Sequence, residues 1–318
     1  MKILITGFSG FVGHQVAKTL KEQGHSLRIL LNKHTITRRE YKTWGDIEII
    51  WGTFHKPEVV QKALEGIEVV IHSGWSFSSP NVVRPTINEQ GTRLLFEESL
   101  KAGVKKFIFL SSIAVYGMQS QRQEIISEQS AFATGEQAEF IYAAEKIATE
   151  RWLAEQNTST MPLIIYRPGP IFDENKGPIK GGIVKVGPWR IGLNIGTGKN
   201  QIPYVHVKDV ANAIVLGVEK INSSVTLNVV PSEELTLKDW IRVWGRYKGV
   251  NLHPVLLPTP FMQLVNKGVK VLKKMLGKSG DIQYVIATST CDMLYSNEKL
   301  KQELAWNDDT TLRYTKLI

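Results

Sequence analysis

Tyr142-Ala-Ala-Glu-Lys146 sets a phenol and an ammonium four residues apart, on one face of any helix that carries them. A free tyrosine, with a pKa of about 10, is a poor base near neutrality, and a neighbouring ammonium favours its phenolate. Such a pair can exchange a proton with a substrate hydroxyl or carbonyl while the attached carbon loses or gains a hydride. Ser112 closes the apolar run FIFLSS (107–112), where its hydroxyl can hold the same oxygen in line. A Tyr-x-x-x-Lys spacing also arises by chance, so its weight depends on what precedes it in the chain.

What precedes it is a glycine loop, Thr6-Gly7-Phe8-Ser9-Gly10-Phe11-Val12-Gly13, between an N-terminal apolar run and an amphipathic stretch. Glycines at such a junction let the chain turn sharply and let backbone N–H groups approach a pyrophosphate at a helix N-terminus. The spacing is Gly-x-x-Gly-x-x-Gly rather than the common Gly-x-Gly-x-x-Gly, and a purely structural turn is the alternative reading. Dinucleotide sites often end their second strand in an acidic residue that binds the ribose 2′-OH. Here that strand ends Leu30-Leu31-Asn32-Lys33-His34, with Arg38 and Arg39 beyond. No carboxylate repels a 2′-phosphate and several cations can pair with one, so NADP is expected over NAD. The alternative is that Lys33 and Arg38 decorate a solvated loop.

Positioning these groups takes alternating strands and helices. Apolar runs fall at 2–6, 26–31, 47–51, 68–72, 107–112 and 162–168, with helical patterns at 11–23, 58–66, 90–102 and 142–156. That alternation implies βαβ units and a parallel sheet buried on both faces, an α/β doubly wound arrangement. Beyond Pro168 the texture turns to glycine- and proline-rich loop, and a sheet pattern returns at 204–219 and 225–230. The expected organisation is therefore interleaved: a nucleotide-binding domain over 1–168 and 204–230, and a smaller C-terminal substrate lobe over 169–203 and 231–318.

The 318 residues, 42% hydrophobic and 22% charged, are enough for a full core. A single cysteine, Cys291, excludes an internal disulfide and offers no metal-ligand spacing, so no metal is expected and a reducing cytoplasm is the expected location. The chain opens directly into a strand, and no apolar run approaches the roughly 20 residues that span a bilayer. The net charge of +9 favours anionic ligands or surfaces. It is concentrated in one amphipathic segment rather than in a stripe with stacking aromatics, so nucleic acid is not an expected partner.

Together TGFSGFVG (6–13), VVIHSG (69–74), NEQGT (88–92), GVKKFIFLSSIAVYG (103–117), YAAEK (142–146), YRPGPIF (166–172) and IPYVHVKDVANAI (202–214) resemble the extended short-chain dehydrogenase/reductase family, also called the NAD-dependent epimerase/dehydratase family. The resemblance implies a Rossmann-type sheet and a homodimer. It implies Ser112, Tyr142 and Lys146 as the catalytic set, with Tyr142 and Lys146 also touching the cofactor. Gly7, Gly10, Phe11, Val12 and Gly13 would cradle the pyrophosphate. Asn32, Lys33, Thr53, Phe54, Ser73, Gly74, Asn88 and Ser111 would line the cofactor, and Pro168 and Ile171 would face the nicotinamide. Three departures stand out: Thr53 where an aspartate usually contacts adenine, Glu145 where a serine usually precedes the lysine, and Asp173 in place of a glycine.

Nucleotide-sugar members of that family usually carry an arginine where this chain has Ile202, which cannot grip a diphosphate. Trp75 and Phe77 are placed to wall an apolar pocket, or else simply pack against the sheet. Arg167 and Arg190 are the remaining candidate anion anchors, and His206 is expected to be structural. The leading expectation is an NAD(P)-dependent oxidoreductase acting on a secondary alcohol or ketone. The alternatives are a nucleotide-sugar epimerase or dehydratase, and a non-catalytic NAD(P)-sensing protein. Residues 261–278, FMQLVNKGVKVLKKMLGK, hold five lysines and no acid. A helical wheel gathers Phe261, Leu264, Val265, Val269, Leu272, Met275 and Leu276 on one side. Such a helix either lies in a membrane interface or packs as a substrate lid.

Overall fold

The computed structural model describes residues 1–32, 45, 47–76, 86–117, 125–134, 141–156, 158–175, 177, 183–186, 189–233, 235–275, 286, 290–292 and 294–317. Among them, β1 (Lys2–Thr6), β2 (Ser26–Leu31), β3 (Glu48–Trp51), β4 (Val69–His72), β5 (Lys106–Leu110) and β6 (Leu163–Pro168) are strands of one parallel sheet. Two short strands, β7 (Ile171–Phe172) and β10 (Val205–His206), pair with each other. β8 (Ile183–Val186), β9 (Trp189–Ile195) and β12 (Leu252–Leu257) form a separate three-stranded sheet, and β11 (Val225–Val229) completes the large one beside β6. The large sheet runs β11-β6-β5-β4-β1-β2-β3, the order of a Rossmann-type doubly wound fold. Its interior strands are continuous apolar runs because helices cover both faces, and all of Val69–His72 is buried.

The helices are α1 (Phe11–Glu22), α2 (Pro57–Leu64), α3 (Ile87–Lys101), α4 (Ile141–Ala154), α5 (Val207–Lys220), α6 (Leu237–Tyr247), α7 (Thr259–Met275), α8 (Glu298–Leu304) and α9 (Asp309–Thr315). α1 and α5 share one core beneath the sheet with Ile3, Ile5, Val16, Ile214 and Val218. α2 and α3 lie in the other, with Val60, Leu95, Phe96 and Phe107. α3 starts where it does because Thr86-Ile-Asn-Glu89 is a capping box, with each residue's side chain satisfying the other's backbone N–H.

Two expectations change. The sheet pattern expected over 204–219 is a two-residue strand followed by α5, because Val207, Val210, Ala211, Ile214, Val215 and Val218 recur at helical spacing and bury one face. The lobe boundary at 231 does not separate the cores, since Leu300, Leu304 and Trp306 pack with the large sheet and α5.

Candidate active site

In the sheet order the chain reverses between β1 and β4, and the crevice at such a switch point is where open α/β sheets hold ligands. Loop 7–10 leaves β1 there and Ser73-Gly74-Trp75 leaves β4. The two loops meet closely: Gly7 has φ +76°, and a Cβ on it would lie 2.5 Å from the Gly74 nitrogen. A Cβ on Gly13 would run into the Gly7 carbonyl oxygen. These glycines are thus required by loop-against-loop packing. Gly10 is the N-cap of α1 and brings no side chain to cap it, which suits a helix start that receives an anion.

A cavity of about 270 Å³ opens beside this junction, lined by Thr6, Gly7, Gly10, Asn32, Thr53, Phe54, Ser73, Gly74 and Trp75 among others. It gathers seven of the residues expected at the cofactor, and adds Ser9, Leu30, His55 and Ile87. Phe54 reaches it because Gly91 leaves room for its ring, and it meets His72 edge-on with centroids 4.9 Å apart. Under the cavity His72 is fully buried, and burial pushes its pKa down to about 3. Its tautomer follows from its partners. The Thr92 hydroxyl donates to the Asn88 carbonyl (2.7 Å), so it accepts from His72 Nε2–H at 2.9 Å. His72 Nδ1 then accepts from the Thr6 hydroxyl at 2.6 Å, and Thr6 Oγ1 in turn accepts from the Gly74 N–H.

Tyr142 and Lys146 stand one turn apart on α4, which packs against the 3-10 turn Ile113–Tyr116 that follows Ser112. Ser112 is half-buried, and its hydroxyl accepts from the Ala114 N–H at 3.1 Å. Tyr142 is half-buried too, with its ring edge-on to Trp75 at 6.5 Å. Lys146 is buried: Nζ donates to the Leu110 carbonyl at 2.6 Å and lies 3.4 Å from the centre of the Trp75 ring and 4.6 Å from that of Phe109. Burial pulls its pKa well below the ordinary lysine value, and the carboxylates of Glu150 and Glu145 pull it back up. Trp75 therefore caps the lysine, and its Nε1–H donates to Glu145 at 3.2 Å.

Several expected site residues are engaged elsewhere. Asn88 is fully buried; its amide donates to the Ser76 carbonyl (2.7 Å) and to Glu145, and accepts from the Ser76 N–H. It pins the Trp75 loop to α4 instead of lining the cavity. The Ser111 hydroxyl donates to the buried Glu150. Arg167 does not stand as a free anion anchor: Glu150 takes its Nε and Nη2, and Nη1 donates to the Tyr116 hydroxyl and the Glu128 carbonyl. Val12 turns its side chain into the core, leaving only backbone for a ligand, while Phe11 is half-buried beside it. Pro168 is buried at the end of β6 and Ile171 half-buried just beyond. Lys33 and Phe77 lie outside the described residues, as does the side chain of Arg190, whose backbone pairs with Leu252 in the small sheet.

Ile202 is buried, its carbonyl held by Trp240 Nε1–H at 3.1 Å, so it offers nothing to a diphosphate. His206 is fully buried as the N-cap of α5, stacked on Tyr314 at 5.3 Å. No local spacing points to the Ser111–Glu150–Arg167–Tyr116–Asn228 chain, whose members are scattered over α4, β6, β11, the residue after β5 and the 3-10 turn. Glu145 stands out in the sequence only as a departure from the family's pattern.

Comparisons with known proteins agree with this architecture. The model of the NAD dependent epimerase/dehydratase family matches residues 3–230. Protein y4nG of Sinorhizobium fredii is 26% identical over 270 residues, which are 80% of this chain and 64% of y4nG, so the chain spans just under two thirds of that relative. A sterol-4-alpha-carboxylate 3-dehydrogenase (decarboxylating) of Dictyostelium discoideum is 24% identical over 81% of this chain and 80% of its own. Among solved structures, the UDP-glucose 4-epimerase of Thermotoga maritima with UDP-glucose superposes with a TM-score of 0.73 at 20% identity, covering 100% of this chain and 97% of that one. With the glycine loop, the switch-point crevice and a family model that matches more than half of its residues, the chain belongs to the NAD dependent epimerase/dehydratase family.

Proposed function

We propose that the protein is an NAD(P)-dependent oxidoreductase that interconverts a secondary alcohol and a ketone, with Tyr142 as the acid/base. The observation that carries this reading is the placement of Tyr142 and Lys146 on α4, against the turn that begins at Ser112 and under the Trp75 wall of the switch-point loops. The cavity residues Gly7, Gly10, Asn32, Thr53, Ser73 and Gly74 fit a dinucleotide, which they would hold at the N-terminus of α1. When bound, the nicotinamide supplies the hydride donor or acceptor. Ser112 holds the substrate oxygen, Tyr142 passes it a proton or receives one, and the Lys146 charge favours the phenolate between turnovers. Because β2 ends at Leu31 and is followed by Asn32 rather than a carboxylate, the preferred cofactor is NADP.

Two observations support a ketone or alcohol over a nucleotide sugar: Ile202 is buried and Arg167 is already paired. The test is a thermal-shift panel with NAD, NADP and UDP- and dTDP-sugars, followed by ketone-dependent NADPH oxidation. Stabilisation by NADP without a response to nucleotide sugars is expected. A further shift with a UDP- or dTDP-sugar would make epimerase or dehydratase chemistry the better reading. NADP binding with no turnover of any carbonyl or alcohol would favour a sensor.

A further inference from the structure

We propose that α7 (Thr259–Met275) is a membrane-docking element that lays its outer face on an anionic phospholipid surface. Five of the eleven exposed large hydrophobic side chains among the described residues lie on this one helix: Phe261, Leu264, Val271, Leu272 and Met275, between 53% and 79% exposed. Scattered single exposures are ordinary, but a run along one helix face is not. Their spacing, 261-264-271/272-275, keeps them within about 100° of the helix circumference. Gly268 falls in the middle of that arc and opens a shallow trough bordered by Leu264, Lys267, Val271, Leu272 and Met275.

The helix packs on the protein through a different side. Met262, Val265 and Val269 are half-buried and Asn266 is buried. Six of the seven apolar residues that the wheel gathers thus divide, Leu276 lying outside the described residues: Val265 and Val269 turn inward, while Phe261, Leu264, Leu272 and Met275 face solvent. A packed lid accounts for the first set and leaves the second unexplained.

Charge selects the occupant. Lys267 is exposed on the flank of the apolar arc and exposed Lys270 lies farther round the helix, and the sequence adds Lys273, Lys274 and Lys278 with no acidic residue anywhere in 261–278. A second copy seated on this face would bring a lysine-rich, acid-free helix against itself. A surface of anionic headgroups over an apolar interior matches both features at once: the side chains enter the headgroup–acyl boundary and the ammonium groups meet phosphates. Among the described residues no helix is long and apolar enough to cross a bilayer, so this contact lies on the membrane and does not span it.

The test uses the full chain, in co-sedimentation with phosphatidylcholine vesicles with and without phosphatidylglycerol, at low and high salt. Binding is expected on the phosphatidylglycerol vesicles, weaker on phosphatidylcholine alone and weakened by salt. A Leu272→Glu/Met275→Glu variant and a Lys267→Glu variant should each lower the partition coefficient by about tenfold or more. Because these side chains are exposed, both variants should keep the parent's melting temperature, and their melting curves establish that they are folded. No binding by the parent chain overturns the proposal, and so does binding that folded variants retain in full. So does a parent oligomer that Leu272→Glu/Met275→Glu dissociates, since the face would then belong to a second copy. None of these readouts depends on the enzyme's activity.

Discussion

Glu145 places a carboxylate, 1% exposed, one residue before Lys146, where it receives the Trp75 indole N–H and the Asn88 amide. Its charge is one of the two that raise the Lys146 pKa against the burial that lowers it. Replacing it with glutamine keeps an acceptor for both donors and removes only the charge. The Lys146 pKa then falls further. If turnover needs the ammonium beside the Tyr142 phenolate, the alkaline limb of kcat/KM for Glu145→Gln moves to lower pH. An unchanged limb in a pH-rate profile would mean that Lys146 does not act through its charge. Tyr142→Phe removes the exchangeable proton itself; kcat should drop by about a hundredfold or more while NADP still raises the melting temperature. Retained turnover in that variant would take the acid/base role away from Tyr142.

At the scale of elements, the glycine loop is best understood as two loops that need each other. Gly7 lies at φ +76° against the backbone of Gly74, so Gly7→Ala meets both an unfavourable dihedral and a clash. A cost of at least about 2 kcal/mol is expected, together with loss of NADP binding, because the β1–α1 turn and the β4 loop can no longer close on each other. Denaturant unfolding and cofactor titration of the same variant check both halves. The sequence made these elements legible where periodicity and position coincide. The apolar runs 2–6 and 26–31 stand as strands with their expected ends, and the run 225–230 ends one residue earlier at Val229, since buried parallel strands leave no ambiguity of face. The run 204–219 was less legible, because nine residues of α5 are buried and a helix buried so widely blurs its own period. In the candidate site, local spacing picked out the Tyr-Lys pair and the loop glycines. It could not tell that Asn88 and Ser111 turn away from the cavity, because their partners Glu145 and Glu150 approach them only through α4.

Across the whole molecule, two buried polar assemblies fasten the layers. In one, Glu150 of α4 holds Arg167 of β6 at 2.5 Å, both nearly solvent-free, and Arg167 passes on to Tyr116, whose hydroxyl donates to Asn228 of β11 at 2.8 Å. Glu150→Gln leaves the guanidinium buried without its counter-charge and should cost about 3–5 kcal/mol in unfolding free energy. The other is the His72 chain that ties β1, β4 and α3, and it carries a pH signature. The imidazole is neutral in the fold, with its pKa held at about 3 by burial against an ordinary value of 6.5. Above pH 6.5 it is neutral in both states and contributes no slope. As pH falls below 6.5 the unfolded chain takes up a proton that the folded chain refuses. Stability then drops by about 1.4 kcal/mol per pH unit on account of this group, until the folded imidazole protonates near pH 3. Other groups titrate in the same range, so the informative quantity is a difference. His72→Gln keeps an amide donor toward Thr92 and cannot be protonated, and unfolding free energies between pH 7 and pH 4 should fall less steeply in it than in the parent. Parallel curves would show that His72 is not the group through which acid loosens the sheet.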